Sequence, residues 1–116
     1  MKFELFSRLY DEAIQYTDAD MYVAERGWQD WMDEYASVSD VSAISDILFR
    51  IYDLAHMDIK ELRNLASLSQ VAFSSTYSVP RRTLQDWEYG ANRTPAYMLK
   101  LISYTLFEKR CENEQN

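Results

Sequence analysis

Residues 68–90 read LSQVAFSSTYSVPRRTLQDWEYG, and this stretch decides the fold that we predict for the chain. Ser69 suits the N-cap of a helix, because its hydroxyl can accept a hydrogen bond from a free amide of the first turn. Residues 78–80 (Ser-Val-Pro) then interrupt that helix, and proline is tolerated in the first turn of a new one. Gly90 suits the left-handed residue that ends the second helix. The pattern predicts two short helices joined by a tight turn, a helix-turn-helix.

The second of these helices has an apolar side and a polar side. Leu84 and Trp87 are three positions apart, so we expect both to face the interior. The residues expected to face outward are Arg81, Arg82, Gln85 and Asp86. The second helix therefore begins with two cationic side chains that solvent or a polyanion can reach.

Three segments of the chain carry a resemblance to a known family. They are Leu-Ser-Gln at 68–70, Val-Pro-Arg-Arg-Thr-Leu-Gln-Asp-Trp-Glu-Tyr-Gly at 79–90 and Asn-Arg-Thr-Pro at 92–95. With this spacing, residues 58–106 resemble the Cro/C1-type (phage-repressor-like, XRE) helix-turn-helix family. The resemblance implies a lambda-repressor-like domain that binds DNA in a sequence-specific way. Domains of this kind also serve in protein–protein contacts.

The resemblance also implies roles for individual residues. The positions that hold the recognition helix in place are occupied by Thr83, Leu84 and Trp87. The positions that reach base edges are occupied by Arg81, Arg82 and Asp86, with Gln85 beside them. The positions that contact phosphate are occupied by Ser69, Gln70 and Arg93. Arginine can donate two hydrogen bonds to guanine, glutamine can pair with adenine, and a helix start binds phosphate. The implied partner is double-stranded DNA, and we expect no cofactor.

Charge is divided unevenly along the chain. The formal net charge is −7, with four Lys/Arg against twelve Asp/Glu in residues 1–57 and eight against five in residues 58–110. A basic face on the second half can meet phosphate, whereas the acidic half must point away from DNA. We therefore expect residues 1–57 to be an acidic helical region for dimerisation or partner binding, 58–110 to be the helix-turn-helix domain and 111–116 to be a frayed tail.

Apolar residues recur at intervals of three and four in the rest of the chain, which predicts further helices. We expect helices over residues 3–16, 18–35 and 41–57, and Gly27 weakens the second of these and can divide it in two. We also expect a helix capped by Asp58 with Glu61 in a capping box, and a last one with Thr94 as N-cap and Pro95 in its first turn. Leu62 and Leu65 are expected to face inward. Glycine and proline are scarce, two of each, which argues against a turn-rich β-fold. We predict an all-α protein, a compact helical bundle with a C-terminal helix-turn-helix and an acidic N-terminal helical extension.

Several classes of protein are not expected. Cys111 is the only cysteine, so no internal disulfide can form and a reducing, cytoplasmic location is expected. No apolar stretch approaches the length of a membrane span, and no signal peptide is visible. His56 is the only histidine, and the sequence has no glycine-rich phosphate loop and no zinc-ligand spacing. We therefore do not expect an enzyme.

Two functional classes remain open. The first is a transcriptional regulator of a prokaryote, phage or mobile element that dimerises through its acidic, aromatic-rich half. The second is a small acidic inhibitor of a nucleic-acid-processing enzyme, similar to an anti-CRISPR protein, with carboxylates placed where phosphates normally sit. Its acidic face would include Asp30, Asp33 and Glu34. A mobile-element antitoxin lies between the two classes.

Overall fold

All regular secondary structure in the described part of the chain is helical. The computed structural model describes residues 1–27 and 41–115, which contain seven helices and no β-strand. The helices are α1 (Phe3–Ile14), α2 (Ala19–Arg26), α3 (Val41–Ala55), α4 (Ile59–Leu65), α5 (Gln70–Tyr77), α6 (Arg81–Tyr89) and α7 (Ala96–Gln115). The all-α prediction is confirmed for these residues. None of the described helices is long and apolar enough to cross a membrane.

The chain divides into two compact units, Met1–His56 and Met57–Asn116. In the N-terminal unit, α1 and α2 pack against α3. The buried residues of α1 are Phe6, Leu9, Tyr10 and Ala13, whereas Ile14, which also lies at the apolar spacing, is 47% exposed. The buried residues of α2 and α3 are Tyr22, Val23, Ile44, Leu48, Ile51 and Leu54. Apolar periodicity therefore identified Phe6, Leu9 and Tyr10 as core residues, but not Ala13.

The second helix is capped by Asp18 and ends next to Gly27. The Asp18 carboxylate caps α2, because it accepts hydrogen bonds from the Asp20 amide at 2.8 Å and the Met21 amide at 3.4 Å. The helix then ends at Arg26, with Gly27 as its C-cap, at the glycine that was expected to weaken and divide the predicted helix. Glycine is a poor helix former, which explains the end at this point. The predicted remainder, residues 28–35, lies outside the described residues.

Tyr22 anchors the interior of the N-terminal unit through both its ring and its hydroxyl. The hydroxyl donates a buried hydrogen bond of 2.9 Å to the Leu9 carbonyl oxygen. The ring meets Tyr16 edge-on, with 5.5 Å between ring centroids, and lies 5.9 Å from the Tyr52 ring. Burial raises the pKa of Tyr22, because the charged phenolate is disfavoured away from water. Tyr22 therefore links α2 to the backbone of α1.

Replacing Tyr22 with phenylalanine is expected to lower the free energy of unfolding by roughly 1 kcal/mol. The ring would keep its packing, but the buried hydrogen bond from the Tyr22 hydroxyl to the Leu9 carbonyl oxygen would be lost. Urea denaturation followed by circular dichroism measures the effect. Tyr97→Phe is the matched control, because Tyr97 is exposed and its hydroxyl can form hydrogen bonds to water in both the folded and the unfolded protein. Equal effects of the two substitutions would contradict the prediction.

The C-terminal unit contains two helix caps that the sequence predicted. The Asp58 side chain accepts a hydrogen bond from the Glu61 amide at 2.8 Å, and the Glu61 side chain accepts from the Asp58 amide at 3.2 Å. This reciprocal pair is the expected capping box at the start of α4. The Ser69 hydroxyl oxygen accepts from the Ala72 amide at 3.1 Å and caps α5.

A short connection, residues 78–80, joins α5 to α6. Ser78 has a φ of 56° and ends α5 in the left-handed conformation. Pro80 occupies the N-cap of α6, so the helix begins at Arg81 and not at the proline. Gly90 follows α6 with a φ of 80°, a conformation that glycine adopts without a steric penalty. The predicted break between the two helices and the predicted end of the second are both confirmed.

In this unit, α6 packs against α4 and α5, and α7 packs against α4. A hydrogen bond of 2.7 Å between the hydroxyls of Tyr77 and Thr105 also joins α5 to α7. The buried apolar residues are Ile59, Leu62, Phe73, Val79, Leu84, Ile102 and Phe107. One predicted break is not observed, because α7 continues to Gln115 where a frayed tail was expected. Residues 111–115 include neither proline nor glycine, so no residue there interrupts the helix.

The prediction that Leu65 faces inward is wrong. Leu65 is 51% exposed, whereas Ile59 and Leu62 are buried. The interior stripe of α4 runs from Ile59 through Leu62 toward Ala66, a spacing of three and then four residues. Leu65 therefore lies off this stripe, at the last residue of the helix.

Candidate nucleic-acid interface

The start of α6 presents two arginines to solvent. Arg81 and Arg82 are both exposed, while Leu84 is fully buried on the other side of the helix. Pro80, at the N-cap, has no side-chain acceptor that could cap the first-turn amides of α6. Free amides and the positive end of the helix dipole attract anions. The first turn of α6 is therefore a cationic, amide-rich surface.

The two arginines differ in their partners. Arg82 Nε lies 3.4 Å from Asp86 Oδ1, an ion pair between residues four apart on α6. Within the described part of the chain, Arg81 has no ion-pair partner. Gln85, the remaining residue predicted to contact bases, is half-buried. The four predicted base-contacting residues thus lie within two turns of one helix.

A bidentate ion pair fixes α6 to α4. Arg63 Nε lies 2.7 Å from Glu88 Oε2, and Arg63 Nη2 donates to Glu88 Oε1 at 2.9 Å. The side chains are 15% and 3% exposed, respectively. The hydrogen bonds from Arg63 hold the pKa of the Glu88 carboxyl below its usual value, and Glu88 in turn raises the pKa of Arg63. Sequence reasoning missed this pair, because its members are 25 residues apart and no local pattern connects them.

The ion pair also engages residues at the start of α5. Gln70 Nε2 donates to Glu88 Oε1 at 3.3 Å, and Arg63 Nη1 donates to the Leu68 carbonyl oxygen at 3.0 Å. Gln70 was predicted to contact phosphate, but its amide is directed to Glu88. Of the other residues predicted to contact phosphate, Ser69 uses its hydroxyl oxygen as the cap of α5, and Arg93 is exposed.

Arg93 lies on the rim of a cleft in the C-terminal unit. The cleft has a volume of about 400 Å³. Its lining includes Lys60, Trp87 and Leu99, together with Thr94. Trp87 is half-buried, so it packs in the unit and still forms one wall of the cleft. The charged residues of the lining are Lys60 and Arg93 together with Asp58 and Glu88, so the lining has no net formal charge.

Two further expectations concern acidic residues. The predicted acidic face, Asp30, Asp33 and Glu34, lies outside the described residues. The residues that the structure does describe include no group of histidine, cysteine, aspartate and glutamate side chains that could hold a metal ion.

Comparison of the chain with protein-family models, with curated proteins and with solved structures found no match.

Proposed function

We propose that this chain is a sequence-specific, double-stranded-DNA-binding transcriptional regulator that acts in the cytoplasm of a prokaryote or on a phage or mobile element. In this proposal α5 and α6 form a lambda-repressor-like helix-turn-helix, and α6 is the recognition helix. One observation carries the proposal: Arg81 and Arg82 are exposed on the first turn of a helix whose other side is held by Leu84 and by the Arg63–Glu88 pair.

The dimensions and charge of α6 suit the major groove. The groove admits one α-helix, and recognition helices of this class contact base edges with their N-terminal residues. Glu88 is on the same helix, but its carboxylate is buried and neutralised by Arg63. The exposed side of α6 therefore has more cationic character than its sequence indicates, which supports contact with phosphate and guanine.

Selection from a pool of random duplexes at a stated salt concentration tests the proposal. We expect the purified protein to enrich a defined site that contains guanine, because an arginine reads guanine through two acceptors of the major-groove edge. A binding-deficient control is the Arg81→Ala/Arg82→Ala double variant, which leaves the buried side of α6 intact. Enrichment of no sequence at low salt would overturn the proposal.

Alanine substitutions are expected to separate base contact from phosphate contact. Arg81→Ala should cost about 1–3 kcal/mol on the preferred site and relax the preference at one base pair. Arg93→Ala should weaken binding to all duplexes alike and reduce the dependence of binding on salt, because one phosphate contact is lost. Titrations of preferred and scrambled duplexes at two salt concentrations measure both effects. Equal losses of sequence preference in the two variants would contradict these assignments.

We also propose a two-fold dimer built mainly from residues 1–57. Aromatic residues make up 15% of the chain, and aromatic side chains are enriched at protein interfaces. A dimer would place two recognition helices in successive major grooves. Light scattering at high micromolar concentration is expected to give twice the monomer mass of 13.8 kDa. A monomer mass under these conditions would exclude a stable dimer.

The alternative function is an acidic inhibitor of a nucleic-acid enzyme, or an antitoxin. The charge of residues 1–57 favours it, because this region contains twelve Asp/Glu and only four Lys/Arg. The two functions make opposite predictions. For an inhibitor, charge reversal of Asp30, Asp33 and Glu34 would abolish inhibition of the target nuclease, and Arg81→Ala would have almost no effect. For a regulator, the arginine variant would lose DNA binding and the acidic variants would retain it.

A further inference from the structure

We infer that Asp86 is a positioning residue that orients Arg82 toward a guanine, and this inference rests on the proposed function. The Arg82 guanidinium is 86% exposed, so it projects into solvent from the first turn of α6. A free arginine side chain there would sample many rotamers. The Asp86 carboxylate lies 3.4 Å from Arg82 Nε and favours the rotamers that bring the two groups together.

Asp86 is the more constrained member of this pair. Its side chain is 29% exposed, against 86% for Arg82. Its carbonyl oxygen accepts a hydrogen bond of 3.2 Å from the Asn92 amide, which ties this part of α6 to the segment that follows it. The helix itself is held to α4 by Glu88, two residues further along. The carboxylate therefore provides a comparatively fixed point against which the longer side chain is oriented.

The geometry leaves the appropriate donors of Arg82 available. Asp86 engages Nε, so the two terminal nitrogens, Nη1 and Nη2, can point along the helix surface toward a base edge. Guanine presents two acceptors in the major groove, O6 and N7, which match two parallel donors. Adenine presents one acceptor and one donor there, and would therefore satisfy only part of this fork. In the orientation that the ion pair favours, Arg82 therefore prefers guanine to adenine.

The negative charge of Asp86 has a second effect: it weakens binding to every duplex, whatever its sequence. A carboxylate near the DNA backbone repels phosphate, so its removal should strengthen binding to any duplex. A residue that only stabilised α6 would change binding to all duplexes in the same direction. Loss of base preference together with tighter binding to unrelated DNA therefore excludes a purely stabilising role, and the double variant with Arg82→Ala separates positioning from direct base contact.

The experiment compares Asp86→Ala, Arg82→Ala and the double variant on the duplex selected by the wild-type protein, on versions with each guanine replaced, and on an unrelated duplex. Alanine is used because asparagine could itself pair with adenine. Asp53→Ala is the control for net charge, because it makes the same change in charge at an exposed position on α3, and light scattering checks that it keeps the oligomeric state of the wild-type protein. Thermal unfolding followed by circular dichroism checks that each variant is folded.

Arg82→Ala is expected to reduce the preference for one guanine by about 5- to 150-fold, the discrimination typical of a bidentate contact. Asp86→Ala should reduce the same preference by about three-fold or more and should tighten binding to the unrelated duplex. The double variant should show the preference of Arg82→Ala alone, because Asp86 acts through Arg82. Asp53→Ala should leave the preference unchanged.

Three results would overturn the inference. If Asp86→Ala leaves the guanine preference unchanged while Arg82→Ala abolishes it, Asp86 does not position Arg82, and the regulator proposal stands. If Asp86→Ala still changes the preference in the Arg82→Ala background, the carboxylate reads a base directly, as an acceptor for the cytosine amino group. If the wild-type protein selects no DNA, the inference and the proposed function both fail.

Discussion

Replacing Glu88 with alanine is expected to lower the free energy of unfolding of the C-terminal unit by about 3 kcal/mol, the low end of the range for breaking a buried ion pair. The substitution leaves the Arg63 guanidinium mostly buried, at 15% exposure, without its bidentate partner. It also removes the acceptor of the Gln70 amide. Urea denaturation followed by circular dichroism measures the loss.

Two comparisons isolate the cause of this effect. Asp86→Ala removes the acidic member of an exposed pair on the same helix, and it is expected to cost less than about 1 kcal/mol. The double variant Arg63→Met/Glu88→Leu removes both charges, so it should be more stable than Glu88→Ala, because no buried charge is left unpaired. A double variant less stable than Glu88→Ala would contradict the ion-pair explanation.

The same ion pair gives the stability of the unit a dependence on pH. The folded-state pKa of Glu88 is lowered, chiefly by its hydrogen bonds from Arg63. The stabilisation is therefore fully present above the unfolded-state pKa of glutamate, about 4.3, and is lost as the pH falls through the folded-state pKa. The Glu88→Gln variant should lose this part of the acid sensitivity, which urea midpoints at neutral and acidic pH would show.

Replacing Leu84 with alanine is expected to destabilise the protein by about 2–5 kcal/mol, the range for truncation of a buried leucine. Leu84 is fully buried, and it is the residue through which α6 packs into the core of the C-terminal unit. The loss contains the transfer free energy of the removed atoms and the cost of the cavity. Because the burial of Leu84 also holds the arginines of α6 in position, binding to the selected DNA should weaken as well. Urea denaturation and duplex titration measure the two effects.

Leu65→Ala is the matched control for this prediction. It removes the same atoms from a residue that is 51% exposed. It should cost less than about 1 kcal/mol, because the truncation removes little buried apolar surface. If Leu65→Ala is as costly as Leu84→Ala, the assignment of the interior stripe of α4 is wrong.

Local signals in the sequence predicted the helices of the C-terminal unit well. The Asp58–Glu61 capping box, the Ser69 cap and the break at residues 78–80 all form as expected. Each signal depends on groups within about four residues of one another, so backbone geometry determines the outcome without help from distant parts of the chain. The exposure of Arg81 and Arg82 followed from the same reasoning, because Leu84 sets the buried side of the helix.

The sequence indicated where α2 ends but not the exposure of Leu65. Gly27 was expected to weaken and divide the helix that the apolar pattern favoured, and α2 ends at Arg26. Leu65 has an apolar side chain at a helical spacing from Leu62, yet it is 51% exposed. A helix of seven residues has a narrow interior stripe, and the position of Ile59 rotates Leu65 away from it.

The sequence by itself determined the all-α class, the Asp58 and Ser69 caps and the cationic start of α6, because periodicity, capping and proline geometry act over one or two turns. The predicted Thr94 cap was wrong, because α7 begins at Ala96 and the Leu99 amide donates to the Pro95 carbonyl oxygen. Only the tertiary structure decided the partners of Glu88 and Gln70. The resemblance implied a phosphate contact for Gln70, and no local pattern in the sequence assigned a partner to Glu88. In the folded unit both side chains belong to a network with Arg63, which is 25 residues away from Glu88 along the chain. A buried carboxylate needs a charged partner, and which cation meets it depends on the packing of α4, α5 and α6.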